Sequence, residues 1–148
     1  MRPPVCVCIP ARNEAERIGR LIEALAQQTV RSFAVAICVN NSSDVTHEKA
    51  VEATLRSNAG FALHILQRVF EPELAHAGSA RRAAMDMGAD LLTADGLLLS
   101  TDADCRPPAD DAPDRREAPL LGAGGFRDVR MVCRLWHLRV RVRAMWLP

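Results

Sequence analysis

Two aspartates one residue apart, Asp102 and Asp104, follow the short apolar run Gly96-Leu97-Leu98-Leu99-Ser100-Thr101. Carboxylates brought this close at the end of a buried strand repel each other unless something positive lies between them. A divalent cation answers that need. Hard oxygen ligands suit Mg2+ or Mn2+, ions that take only one or two carboxylates and complete their shell with water and phosphate oxygens. Such an ion would stabilise a diphosphate as it leaves. A D-x-D also arises by chance in solvated turns. Its place after a strand-like run favours the metal, because open α/β sheets put ligands at the carboxyl ends of their strands.

The segments before it alternate in the way such a sheet requires. Val5-Cys6-Val7-Cys8-Ile9 is a continuous apolar run ended by Pro10, as suits a strand buried on both faces. A helix follows, with Asn13 as its expected cap, Glu16 as the return partner, and Ile18, Leu21, Ile22 and Leu25 on one face. Phe33 to Val39 is a second strand, and the polar turn Asn40-Asn41-Ser42-Ser43-Asp44 leads into a second helix through Ser57. Asn58-Ala59-Gly60 ends that helix. Ala62 to Val69 is a third strand, placed nearer a sheet edge by His64, Gln67 and Arg68. After an irregular connection from Glu71 to Gly78, a helix is expected from Ser79 to Met87. Its face of Ala80, Ala83, Ala84 and Met87 is small enough to pack closely, and Gly88 lies near its end. The fourth strand then delivers Asp102, and the polar loops after strands one and two should open on the same rim.

Ile9-Pro10-Ala11-Arg12-Asn13-Glu14, the turn after the second strand, Gly78 with Ala80-Arg81, and Thr101-Asp102-Ala103-Asp104 come in the order and rough spacing of family 2 glycosyltransferases. The chain resembles that family over residues 5 to 108. The resemblance implies a GT-A fold, a mostly parallel Rossmann-like sheet with flanking helices. It also implies inverting transfer of a sugar from a nucleoside-diphosphate sugar to an unknown acceptor, with Mn2+ or Mg2+ holding the diphosphate. Carried over by position, Pro10, Ala11, Arg12 and Glu14 would line the nucleoside pocket, Asn41 would face the base and Asp44 would lie beside it. Arg81 would reach toward base or phosphate. Asp102 would approach ribose and metal with Ala103 against the donor, and Asp104 would ligate the metal.

Three departures bear on this expectation. Asn40-Asn41 stand where the family often has aspartates, so a base N–H would meet an amide oxygen without charge. Arg12 fills a position that is often aromatic, where its planar guanidinium would stack on a base or lie in solvent. Family members are also longer, and their catalytic aspartate and acceptor elements lie in a second half with no counterpart here. An inverting transfer needs a base for the acceptor hydroxyl. Asp110, Asp111, Asp114, Glu117 and Asp128 are the available carboxylates, and all five have the character of solvated loop residues. The catalytic base is therefore unassigned.

Beyond Pro108 the composition turns rich in Pro, Gly and Arg, with five arginines and no acid from Val129 onward. A shifted reading frame in GC-rich DNA produces such a change, and residues 109–148 are expected not to have evolved as part of the fold. Lys49 is the one lysine among 19 basic residues, which fits GC-rich coding.

At 148 residues and 49% hydrophobic, the chain has material for one core, and its net charge of +1 gives no argument for a nucleic-acid partner. Five cysteines without a C-x-x-C pair look like small buried residues in a reducing compartment, and four histidines show no zinc spacing. Neither a signal peptide nor a membrane span is expected, which gives a cytoplasmic location by default. Two other functions compete with the transferase. One is a non-catalytic nucleotide-binding remnant of such an enzyme. The other is a haloacid-dehalogenase-type phosphotransferase with Asp102 as nucleophile, disfavoured because that motif usually lies near the N-terminus and continues with Thr or Val where this chain has Arg106.

Overall fold

Four short strands lie parallel in one sheet; the first, second and fourth are almost wholly apolar, as burial on both faces demands, and the third is mixed. The computed structural model describes residues 5–28, 32–92 and 97–107. Strand β1 (Val5–Ala11) leads to helix α1 (Ile18–Ala26), β2 (Phe33–Asn40), α2 (Thr46–Arg56) and β3 (Ala62–Arg68). A single 3-10 turn (Pro72–Leu74) precedes α3 (Ala77–Leu91) and β4 (Leu97–Ser100). The tail expected to be foreign, with its five carboxylates, lies outside the described residues, as does Gly96.

The sheet order is β3-β2-β1-β4. The chain steps outward from β1 to β3 and then crosses back to lay β4 against the other side of β1, with Val5 opposite both Phe33 and Leu97. Right-handed crossovers put the helices of the outward steps on one face and the helix of the return on the other. The packing agrees. Val5, Val7 and Ile9 point into a core with Val35, Ile37, Ile18, Leu21, Ile22, Leu25, Ala50 and Ala53. Cys6 and Cys8 point the opposite way, with Ala36, Cys38 and Leu98, onto Ala80, Ala83 and Ala84 of α3. The reversal between β1 and β4 is the switch point where a sheet of this type opens a crevice.

Helix α1 shows which force decides. No side chain caps it, a loss worth about 1 kcal/mol, yet four fully buried aliphatic side chains at 18, 21, 22 and 25 each contribute about 1.5–3 kcal/mol. Packing wins. The expected cap is thereby corrected: the helix begins at Ile18, and Asn13, at φ 52°, is engaged elsewhere. Asn58 does end α2, in the left-handed conformation (φ 48°) that asparagine tolerates past a C-cap.

Three further boundaries differ from expectation. Strand β1 runs past Pro10 to Ala11. Cys8 O accepts the Thr101 N–H (3.2 Å), so Pro10, two residues on, turns its missing donor beyond the last β1–β4 pair, and no ladder bond is lost. Helix α3 starts two residues early, capped by His76, whose ring accepts the Ser79 N–H. It also continues to Leu91, which makes Gly88 an interior residue. Strand β3 lies at the sheet edge, as its polar residues suggested. No helix among the described residues is long and apolar enough to cross a membrane.

Candidate functional site at the carboxyl rim

The loops leaving β1 and β2 interlock at the rim. Asn13 donates its N–H to Ser42 Oγ (3.0 Å), and its Oδ1 accepts the Ser43 N–H (2.8 Å). Glu14 N–H donates to Thr46 Oγ1 (2.8 Å) and Ala15 N–H to Asp44 Oδ2 (3.1 Å). The other oxygen of Asp44 accepts both the N–H (3.1 Å) and the hydroxyl (2.5 Å) of Thr46. Two loops that are each polar and non-repetitive thus satisfy one another's backbone groups, which is what fixes them without a core of their own.

The loop after β4 forms the facing wall. Cys105 N–H donates to Asp102 O (3.1 Å), and within this turn Ala103 is 3% exposed and packs into the first core while Asp102 and Asp104 face outward. The buried alanine pins the turn and the spacing sends both carboxylates to solvent. From the other face of the sheet, Arg81 of α3 donates through Nε to Ser100 Oγ (3.1 Å) and through Nη2 to Asp102 Oδ1. Arg12 crosses to the loop before α3 and donates to Ala75 O (3.1 Å).

Carboxylates dominate the field in this space. Burial pushes the Glu14 carboxyl above its usual range; Arg17 pulls it back, and Asp104, Asp44 and Asp102 push it further up. Among the described residues, Glu14 Oε2 is buried without a hydrogen bond, and Arg17 Nε lies 3.5 Å away. Asp44 goes the other way: burial works against its charge, but the Thr46 and Ala15 donors outweigh burial and hold it below the usual carboxylate range.

Replacing Glu14 by glutamine (Glu14→Gln) removes a pH-dependent penalty. Below the unfolded pKa of about 4.3 both states are protonated, and the raised folded pKa costs nothing. As pH rises, the unfolded chain ionises first and stability falls until the folded carboxyl has also ionised. The glutamine variant escapes that loss. It should unfold at higher urea than wild type at pH 7, with the gap closing at pH 4; a gap independent of pH would refute the cause.

The rim brings together Ala11, Arg12, Glu14, Asp44, Arg81, Asp102, Ala103 and Asp104, with Pro10 buried in the strand beneath. Asn41 departs from expectation. Its backbone is left-handed (φ 47°), its N–H donates to Arg68 O (2.9 Å), and its side chain both donates to Phe70 O (2.9 Å) and accepts the Phe70 N–H (3.1 Å). The amide thus extends the β2–β3 ladder onto the outgoing chain of β3. Asn40, the other amide of that pair, lies deeper. It is 1% exposed at the end of β2, and its Nδ2 has no partner among the described residues.

Among the described residues, no three acidic, histidine or cysteine side chains form a ready-made metal cage. Asp102 and Asp104 still fit a hard divalent ion. They supply the one or two carboxylates that Mg2+ and Mn2+ accept, and Asp104 is exposed with no hydrogen bond or ion pair among the described residues.

The model of glycosyl transferase family 2 matches residues 6–115. The chain belongs to this family. Membership sets aside the phosphotransferase alternative. No curated protein matches the sequence. Among solved structures, this family 2 chain is similar to S. aureus TarS 1-349, at 22% identity over 74% of this chain and 29% of that one, with a TM-score of 0.55. The complex of TarS 1-349 with UDP matches at 24% identity over 72% of this chain and 29% of that one, TM-score 0.56. The complex with UDP-GlcNAc matches at 20% over 74% and 28%, TM-score 0.54. These likenesses establish the GT-A-like α/β fold. The chain spans less than a third of the length of each structure.

Proposed function

We propose that the rim binds a nucleoside-diphosphate sugar and that the family 2 chain serves an inverting transfer of the sugar to an acceptor hydroxyl. The observation that carries this reading is the placement of Asp102, Asp104 and Arg81 together at the reversal between β1 and β4. A diphosphate there meets a guanidinium suited to its oxygens, and the exposed carboxylates would hold Mn2+ or Mg2+. Bound, the ion would supply Lewis-acid stabilisation of the leaving diphosphate. UDP and UDP-GlcNAc, bound by TarS according to those structures, make uridine the first base to try.

The chain's own residues bind and orient. Ala11, small and buried at the end of β1, lets the nucleoside approach the backbone, and Glu14 stands beside it on the interlocked loops. Asp44 acts indirectly by holding the Ala15 and Thr46 donors in place. Ala103 fixes the turn that aims the two aspartates. Residues 5–108 carry this donor half of the reaction.

Calorimetric titration of the full chain with UDP and with GDP, each with and without Mn2+, tests the proposal. The expected result is binding of at least one diphosphate that strengthens with the ion. A folded chain that binds neither would overturn it.

A further inference from the structure

We propose that Arg81, anchored by Ser100, makes divalent-cation binding at Asp102 conditional on the diphosphate. This rests on the donor-site reading above. Arg81 reaches the rim from α3, on the opposite face of the sheet from α1 and α2, and presents one edge of its guanidinium to two acceptors. The Ser100 hydroxyl, on a residue 6% exposed at the end of β4, fixes Nε; the Asp102 carboxylate, 59% exposed, takes Nη2. In this arrangement the charge of Asp102 is already answered. A cation arriving alone meets one unpaired carboxylate, Asp104, beside a positive guanidinium.

A diphosphate changes the balance. Its oxygens match the same guanidinium edge and carry more charge than one carboxylate, so Arg81 turns to the phosphate and releases Asp102 to the ion. The exchange is feasible because both partners are more than a third exposed, and such pairs are weak. By linkage, whatever the diphosphate does for the ion the ion does equally for the diphosphate. Ser100 is a positioning residue here: without its hydroxyl the guanidinium loses its fixed edge, and its hold on Asp102 loosens with no change in charge.

The test measures Mn2+ binding to the full chain by the electron paramagnetic resonance of the free ion, with and without UDP, corrected for Mn2+ held by UDP itself. Ser100→Ala should bind Mn2+ alone more tightly, by up to about fivefold, the ceiling for an exposed pair. The enhancement by UDP should shrink by the same factor. Arg81→Ala should move both quantities in the same direction. Unchanged coupling in Ser100→Ala, or weaker binding of Mn2+ alone in Arg81→Ala, would overturn the proposal. Asp104→Ala separates the two levels. If it abolishes Mn2+ binding while Ser100→Ala changes nothing, the donor site stands and the Arg81 exchange falls; if Mn2+ binds Asp104→Ala as it binds wild type, the donor-site reading falls as well.

Discussion

Asp104→Ala is expected to weaken Mn2+-dependent UDP binding by about a hundredfold or more, since even residues that merely support a metal ligand are worth 10–100-fold in metal affinity. The reason lies in the division of labour at the rim. Asp102 shares its charge with Arg81, whereas Asp104 is exposed and makes no hydrogen bond or ion pair among the described residues. Removing it leaves a cation one carboxylate, and that one is already paired with a guanidinium. UDP binding without the ion should change far less and in the opposite direction, because without a cation the loss of Asp104 removes only its repulsion of the diphosphate. Asp90→Ala, an exposed position on α3 away from the rim, provides the control and should bind as wild type does. Calorimetry in the presence and absence of Mn2+ distinguishes these cases. Equal metal-dependent affinity in Asp104→Ala and wild type would remove this residue from the site.

Gly88→Val should lower the unfolding free energy by about 3 kcal/mol, the upper part of the range for overpacking a tight interior. A Cβ at Gly88 would stand 2.8 Å from Cys8 Sγ, 3.0 Å from Cys6 Sγ and 3.0 Å from Leu98 Cδ2. All three neighbours are fully buried on the sheet, so none has a free end to swing aside. Replacing glycine inside a helix normally gains up to about 1 kcal/mol, and here the clash exceeds that gain. Urea denaturation of wild type, Gly88→Val and the double variant with Cys8→Ala measures it. The double variant should recover part of the loss by removing the 2.8 Å contact. A Gly88→Val protein as stable as wild type would show that α3 does not depend on this close approach. The effect reaches the site, because lifting α3 from the sheet draws Arg81 away from Ser100 and Asp102.

The two large effects have different visibility in the sequence. Asp104 announces itself, since a carboxylate pair after an apolar strand needs a positive partner wherever the strand lies. Gly88 does not. Small residues at 80, 83, 84 and 88 indicate close packing, yet only the position of α3 over Cys6 and Cys8 shows that a single methyl is too much. The same contrast holds for the loops. Asn13 has the composition of a cap and the right distance from Glu16, but its actual partners, Ser42 and Ser43, are 29 and 30 residues away. Asn41 occupies a base-facing position by family resemblance, and the ladder to Phe70 claims its amide.

By itself the sequence determined the strand and helix alternation, the buried stripe of α1, the edge position of β3 and the family, because these depend on the periodicity of apolar residues and on motifs that are local in the chain. The tertiary structure alone decided which polar groups pair: Arg81 with Asp102, Asp44 with Ala15, Asn41 with Phe70. Hydrogen-bonding residues carry no address for their partners, and a short polar side chain can satisfy a neighbour or a distant loop equally well. The choice is made when sheet order and register bring three loop ends to one rim, and that depends on packing summed over the whole core.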